Sequence, residues 1–384
     1  MSDTFTQQQA DPMETRTVII ADPAWDKEQI LLAGAALAEG ALVVFPTETV
    51  YGLGASAVSR AAIDALSRLK DRRPDNKPFT LHLSDPELAE TYAGPLPLMA
   101  RRLIHKAWPG PLTLVVPDRR PDPAMPPGLI QDAVYYQGTV GLRCPSHAVG
   151  REILRAAGVP VVGTSANLSG HPPPLKAADA LAHLKNKVSL VVDAGPTQYS
   201  RPSTVVRVQT DNTYELLREG AVTARRLERL ARTRVLFVCT GNMCRSPMAV
   251  GLAESMLAER LGCEPDRLGV CGIDIASVGT AAGAGLPASD NAVRTMADRH
   301  VDISRHRTYP MTIDSLQQAD YIWVMTRGHR DAALRLAPEA AARVALVDPA
   351  GHEVPDPVGG DMAVYRACAV QLEAAIAKRV AEIV

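Results

Sequence analysis

Cysteine is scarce in this sequence. The six present in 384 residues, at positions 144, 239, 244, 263, 271 and 368, form no paired framework. That excludes a small disulfide-stapled secreted domain and points to a reducing compartment. A dominant charge is missing as well: 41 basic and 42 acidic residues leave a formal net charge of -1, which argues against a wholesale nucleic-acid coat while permitting a local basic groove. No uninterrupted apolar run approaches the length that spans a bilayer. The opening "MSDTFTQQQADPMETRT" has neither the basic start nor the apolar core of a signal peptide. A cytoplasmic chain with no membrane partner is expected. Internal repeats and low-complexity segments are also lacking.

What is present is enough sequence for two domains. At 384 residues the chain exceeds what one hydrophobic core usually organises, and 46% hydrophobic with 22% charged residues is a globular composition. "RTVII" (16–20) reads as a strand and 25–40 as a helix stopped by glycine. "ALVVFP" is a strand that Pro46 ends, so "TETVYGLG" reads as a loop. A helix at about 60–70 and strands in "FTLHL", "LTLVVP", "TVGLRCP", "VVGTS", "VSLVVD", "STVVRVQ" and "TYELLREG" follow. Many strands with few helices describe a twisted mixed α/β sheet. Past residue 220 the pattern changes. After a basic connector at 223–233 come strands at 235–238, 270–276, 320–325 and 343–347. They alternate with helices at 247–261, 288–299, 328–336 and 362–382, which predicts a doubly wound parallel sheet over 234–384.

The most informative stretch is "VLFVCTGNMCRSPMAV" (235–250). Gly241 and Asn242 tolerate unusual backbone angles, so successive N–H groups of the loop can converge on one anion. Ser246 suits an N-cap and Pro247 a first helical turn, aiming a helix N-terminus into the same concavity. A cysteine at the base of such a phosphate cradle, Cys239, is a nucleophile in line with phosphorus, its thiolate favoured by the N–H dipoles and Arg245. Arg245 offers a planar fork to phosphoryl oxygens. The reaction also needs an acid for the leaving group, and Asp356 in "VPDPVGG" is the candidate, although Asp-Pro is equally a turn dipeptide.

The loop, "SVGT" (277–280), "ADYIWVMT" (319–326) and the late Asp-Pro occur together in the order seen in one family. Residues 234–384 thus resemble the low-molecular-weight protein tyrosine phosphatases and their protein-arginine phosphatase relatives. The resemblance implies Cys239 as nucleophile, Arg245 as phosphate holder, Asn242 shaping the loop, Ser246 supporting the thiolate and Asp356 as general acid. It further implies a reversible protective disulfide between Cys244 and Cys239, and no metal. Met243 stands where the arginine phosphatases carry threonine, and Val358 stands where the tyrosine phosphatases usually carry an aromatic. Phosphotyrosine on a phosphoprotein is the expected substrate, with phosphoarginine as the alternative.

The first domain lacks such a nucleophile. "RLKDRRPDNKPFTLHL" (68–83) places Arg68, Lys70, Arg72, Arg73 and Lys77 within ten residues, either a solvated face or a phosphate clamp. "TSANLSG" (164–170) supplies hydroxyls and an amide after a strand, for ligand hydrogen bonds or for a capped turn. These residues define an anion and polar small-molecule site. Together with "FPTETVYGLG", "WPGPLTLVV", "VGLRCPSH", "DAGP", "STVV" and "LREG", they make residues 15–222 resemble the YrdC-like L-threonylcarbamoyladenylate synthases. The resemblance implies a synthase that uses L-threonine, bicarbonate and ATP for tRNA threonylcarbamoyladenosine, with Mg²⁺ accompanying ATP and tRNA or tRNA-modifying proteins as partners. Thr47, Thr49 and Tyr51 would lie at the threonine end. Lys70, Arg73 and Lys77 would hold ATP phosphates with the help of Arg143, while Ser165, Asn167, Ser203 and Thr204 line the nucleotide pocket and Arg218 closes over it. Asp71 stands where alignment from Arg73-Pro74 puts lysine, so that either Lys70 reaches in or an insertion uses Lys70 and Arg72. The rival reading of this domain is a nucleotide- or RNA-binding module without synthase activity.

Overall fold

The computed structural model describes residues 14–24, 26–71, 78–121 and 128–383, and the chain divides into two compact units, 1–230 and 231–384. In the first unit the strands are Arg16–Ile19 (β1), Val43–Phe45 (β2), Gly52–Ser56 (β3), Thr80–His82 (β4), Leu112–Pro117 (β5), Tyr135–Tyr136 (β6), Thr139–Arg143 (β7), Val161–Ser165 (β8), Leu190–Asp193 (β9), Thr204–Val208 (β10) and Tyr214–Arg218 (β11). They form a mixed sheet in the order β1-β9-β2-β3-β8-β4-β7-β5-β10-β11, with β6 beside β7. The expected loop "TETVYGLG" ends early: it gives way at Gly52 to β3, which pairs antiparallel with β2 and β8. "GLGAS" has no β-branched side chains and no polar alternation, because it is buried throughout. Helix Ala148–Ala157, also not anticipated, packs with Lys27–Ala38 over a core that includes Val18, Ile20, Leu37, Phe45 and Ile153.

The second unit is the expected doubly wound sheet. Strands Thr233–Cys239 (β12), Ile273–Gly279 (β13), Tyr321–Val324 (β14) and Val344–Leu346 (β15) are all parallel, in the order β13-β12-β14-β15. Alternation along β12 sends Val235, Phe237 and Cys239 into a core with Leu252, Trp323 and Tyr365, and Leu236 and Val238 into a second core with Leu316, Ile322 and Ala333. From β12 the chain goes first to β13 on one side and then to β14 on the other. In such sheets a ligand crevice opens at the strand ends where the order reverses, and Cys239 ends β12 there. β13 begins three residues later than expected, with Val270 and Cys271 left in the preceding turn. Helix Ile313–Gln318 is additional, and the segment expected as a connector is helical over Ala224–Ala231.

Candidate active sites

In the second unit the loop from Cys239 to Arg245 closes around its own sulfur. Asn242 takes left-handed backbone (φ 56), whereas Gly241, expected to share that role, does not. Gly279 permits the close approach, since a Cβ there would lie 2.4 Å from Thr240 O and 3.0 Å from Asn242 N. The helix starts two residues earlier than expected: Cys244 occupies the N-cap position and caps nothing with its side chain, while Ser246 lies inside the first turn. Ser246 Oγ is thereby released to sit 3.0 Å from Cys239 Sγ. Asn242 Nδ2 donates to Ser246 Oγ and to Ser277 Oγ, both at 2.8 Å. With Cys239 as thiolate, which has no proton to give, the Ser246 hydroxyl is the donor to sulfur. The backbone N–H of Asn242 donates to Cys239 Sγ at 3.2 Å. Tyr309 N donates to Asn242 Oδ1 at 2.8 Å, and His306 Nε2 lies 2.7 Å from Asn242 O. Burial pushes the Cys239 thiol up, while the Ser246 hydroxyl, the N–H groups of Ser246 and Asn242, and Arg245 pull it down.

Arg245 is buried, with Nη1 donating to Val354 O at 3.1 Å and Nη2 donating both to Thr240 Oγ1 at 3.2 Å and to Asp356 Oδ2. Its Nε is buried without a partner. Thr240 Oγ1 lies 2.9 Å from His329 Nε2, and His329 Nδ1 lies 2.9 Å from Thr326 Oγ1. Thr240, Ser277, His306, His329 and Tyr309 are the neighbours that sequence reasoning missed. For His329 a signal existed: Thr326 N-caps its helix by accepting from His329 N, the Thr-x-x-His spacing of a cap. Cys244 and Cys239 are both free thiols. Cys244 Sγ lies 3.3 Å from Ser289 Oγ and 3.2 Å from Tyr365 Oη, so a disulfide with Cys239 requires the Cys244 side chain to leave these partners. Met243 is half-buried against the core, and Val358 is 70% exposed.

In the first unit a cavity of about 380 Å³ lies on one face of the sheet. Strand alternation selects the lining from two strands, Thr80 and His82 of β4 and Thr113 and Val115 of β5, whereas β8 contributes the consecutive Gly163, Thr164 and Ser165. Thr47, Arg143, Asn167, Ser203 and Arg218 also line it. Arg143 Nη2 donates to Glu48 Oε1 at 2.9 Å, Thr49 Oγ1 at 2.7 Å and Thr47 Oγ1 at 3.3 Å, which ties the "PTET" loop to the end of β7. Glu48 neutralises Arg143. Arg218 differs: it donates to Ser203 O at 2.8 Å but pairs with no carboxylate among the described residues, and burial, then Arg143, holds it below the usual guanidinium range. A cavity-lining cation that has no carboxylate partner among the described residues favours an anionic ligand.

Several expected ligands sit elsewhere. Tyr51 Oη donates to Gly195 O at 2.7 Å and accepts from Ala194 N at 3.1 Å, outside the lining, because its side chain points across β2 and β9. Thr204 Oγ1 donates to Val222 O and accepts from Gly220 N and Val222 N, binding strand to turn rather than facing the cavity. Lys70 is buried, and Nζ donates to Ser165 O (3.0 Å), Asn167 O (2.6 Å) and Asn167 Oδ1 (3.0 Å), so it braces the two lining residues. Asp71 is exposed, with φ 46. Arg72, Arg73 and Lys77 lie outside the described residues. His82 was missed. It is buried, its Nδ1 lies 3.2 Å from Thr80 O, and burial, then Arg143, drives its pKa down to about 3. Gly163 makes room for it, since a Cβ there would stand 2.5 Å from Nδ1.

These two sites match two families. The Sua5/YciO/YrdC family, described as telomere recombination, matches residues 35–220. The threonylcarbamoyl-AMP synthase of Chromohalobacter salexigens is 35% identical over 187 residues, covering 48% of this chain and 96% of that protein. The chain belongs to the Sua5/YciO/YrdC family. The threonylcarbamoyl-AMP synthase of Bacillus subtilis is 39% identical over 200 residues, covering 52% of this chain; the chain spans only 56% of that relative. The low molecular weight phosphotyrosine protein phosphatase family matches residues 234–384. The second unit is similar to the solved YwlE arginine phosphatase from Geobacillus stearothermophilus, with 32% identity over 39% of this chain and 91% of that one and a TM-score of 0.34. This Sua5/YciO/YrdC member therefore carries a nucleotidyltransferase-type synthase domain followed by a cysteine-based phosphatase-type domain. Among the described residues no helix is long and apolar enough to cross a membrane.

Proposed function

We propose that the first unit forms L-threonylcarbamoyl-AMP and pyrophosphate from L-threonine, bicarbonate and ATP, and that the second hydrolyses a phosphoprotein through a cysteinyl-phosphate. For the first unit the supporting observation is Arg218, a cavity-lining cation with no carboxylate partner among the described residues. In this reading the hydroxyls of Thr47, Thr113 and Ser203 and the amide of Asn167 fix the polar ends of the substrates. Among the described residues the lining contains no aspartate or glutamate, and no cluster of three metal-ligating side chains occurs. Such donors suit Mg²⁺ that enters on the triphosphate, which lowers the charge the phosphates present to the arginines. Threonine-dependent pyrophosphate release by the full-length chain tests this reading, and tight ATP binding without release would favour the module that only binds.

In the second unit the Cys239 thiolate attacks phosphorus as the bond to the leaving group breaks, and Asp356 delivers a proton to the departing atom. Water, deprotonated by Asp356, then attacks the cysteinyl-phosphate, releasing phosphate and restoring the thiolate. Arg245 and the loop N–H groups hold the equatorial oxygens throughout. For the substrate we reverse the order expected from the sequence and place phosphoarginine first, the substrate class in the name of the Geobacillus relative. Asp356 already receives a guanidinium in the free enzyme, that of Arg245, and the neighbouring Val358 offers no ring face to a phenyl group. Phosphotyrosine is the second reading, favoured by the bulk of Met243 beside the loop. Comparison of kcat/KM on phosphoarginine and phosphotyrosine peptides decides between them.

A further inference from the structure

The guanidinium of Arg245 has three partners: Nη1 donates to Val354 O, and Nη2 is shared between Asp356 and Thr240. Asp356, its side chain 36% exposed, takes one Nη2 proton; Thr240 Oγ1, at the end of β12, takes another. During turnover Asp356 must serve the leaving group, so it cannot continue to aim the arginine. The Val354 contact on Nη1 and the Thr240 contact on Nη2 remain, and the second does not end at Thr240. His329 is buried at the start of helix Arg327–Leu336 and is bonded at both ring nitrogens, Nε2 to Thr240 and Nδ1 to Thr326. Thr326 also accepts the His329 backbone N–H at 3.3 Å, which fixes the ring to the helix start. Whichever nitrogen carries the proton, Thr240 keeps one oxygen lone pair for Arg245.

We propose that His329, acting through Thr240, is a positioning residue that holds the Arg245 fork on the equatorial phosphoryl oxygens after Asp356 has turned to the leaving group. The strut Thr326–His329–Thr240–Arg245 joins the helix N-terminus to the phosphate loop through side chains alone. It works with a neutral imidazole: burial, then Arg245, drives the pKa of His329 down to about 4, against the opposing pull of Asp356 and Glu353. A cationic ring would compete with Arg245 for the same oxygen and repel it. The inference rests on the phosphatase reading of this unit.

The test uses the full-length chain with Thr240→Val, His329→Ala, His329→Gln and the double variant Thr240→Val/His329→Ala. Each of the first two is expected to lower kcat/KM for an aryl phosphate by about 10–100-fold, and the double variant to be no worse than about twofold below the poorer single, as two ends of one strut require. Affinity for vanadate, which adopts the five-coordinate shape, should fall with kcat/KM, while affinity for inorganic phosphate changes less than about threefold. His329→Gln, which keeps a polar atom near Nε2, should recover most of the loss. Losses that multiply in the double variant, or vanadate and phosphate affinities that fall together, overturn the proposal. If His329→Ala does not fold, Thr240→Val, which preserves shape, decides by the same vanadate and phosphate comparison. Should the wild-type chain turn over no phosphate compound, the phosphatase reading fails, and calorimetric binding of vanadate and phosphate to wild type and Thr240→Val still decides the strut.

Discussion

Arg245 and Asp356, 111 residues apart, are joined in the free enzyme, the guanidinium 4% and the carboxylate 36% exposed. In the proposed reaction these are the phosphate holder and the general acid, so the ion pair keeps them neutralised until a phosphate dianion takes the place of the carboxylate. The pair sets the first expectation. Asp356→Ala should slow hydrolysis of poor leaving groups by roughly 100-fold and that of p-nitrophenyl phosphate much less, since acid assistance matters most where leaving-group charge is costly. It should also tighten oxyanion binding by freeing Arg245. An equal loss for both classes of leaving group would remove Asp356 from the acid role. Cys239→Ser, by contrast, should abolish turnover of both while oxyanions still bind.

Ser246 lowers the Cys239 thiol against the upward push of burial. Ser246→Ala removes that donor, so the thiol pKa rises and less thiolate exists at a given pH. The acidic limb of kcat/KM should therefore move to higher pH, with about a tenfold loss near neutrality that is partly recovered in alkali. An unmoved limb with a uniform loss would assign Ser246 to loop shape alone.

Met243→Thr removes bulk beside the loop and adds a hydroxyl. Its kcat/KM ratio for phosphoarginine over phosphotyrosine peptides should rise by about 10-fold, within the range one small pocket contact supplies. An unchanged ratio would shift the discrimination to Val358 and Asp356.

Arg218→Gln keeps a polar side chain in the first cavity and deletes its unpaired cation. The ATP concentration needed for half-maximal pyrophosphate release should rise by about 10–100-fold, as expected for loss of a charge-assisted contact. Lys70→Met should impair the same reaction differently, by loosening Ser165 and Asn167, with a loss of thermal stability that Arg218→Gln does not share.

His82 should make stability pH-dependent. Its pKa falls to about 3 in the fold, so between about 6.5 and 3 the unfolded chain binds the extra proton. Stability from this group is complete above the unfolded value and is lost as pH falls, at up to about 1.4 kcal/mol per pH unit. Denaturation curves of the full-length His82→Asn variant should show a shallower acid loss than wild type, and parallel slopes would contradict it. Gly163→Ala, which drives a methyl into the His82 ring, should cost about 1–3 kcal/mol at any pH.

By itself, the sequence determined what is local along the chain. The nucleophile loop from Cys239 to Arg245, the Asp-Pro at 356, and the alternation of strand and helix past residue 233 all lie within a few residues of the features that betray them. Periodicity and turn chemistry act over that range. Tertiary structure decided what crosses it. His329 reaches Thr240 over 89 residues and Asn242 meets Ser277 over 35, while Arg143 meets Thr49 over 94. None of these pairs leaves a periodic trace, because parallel crossovers and sheet order bring them together. The positions of the other expected residues have the same cause. Tyr51, Thr204 and Lys70 carry the right chemistry for a ligand, but a side chain with two or three protein partners already in place turns toward them, and only the packed sheet reveals which partners those are.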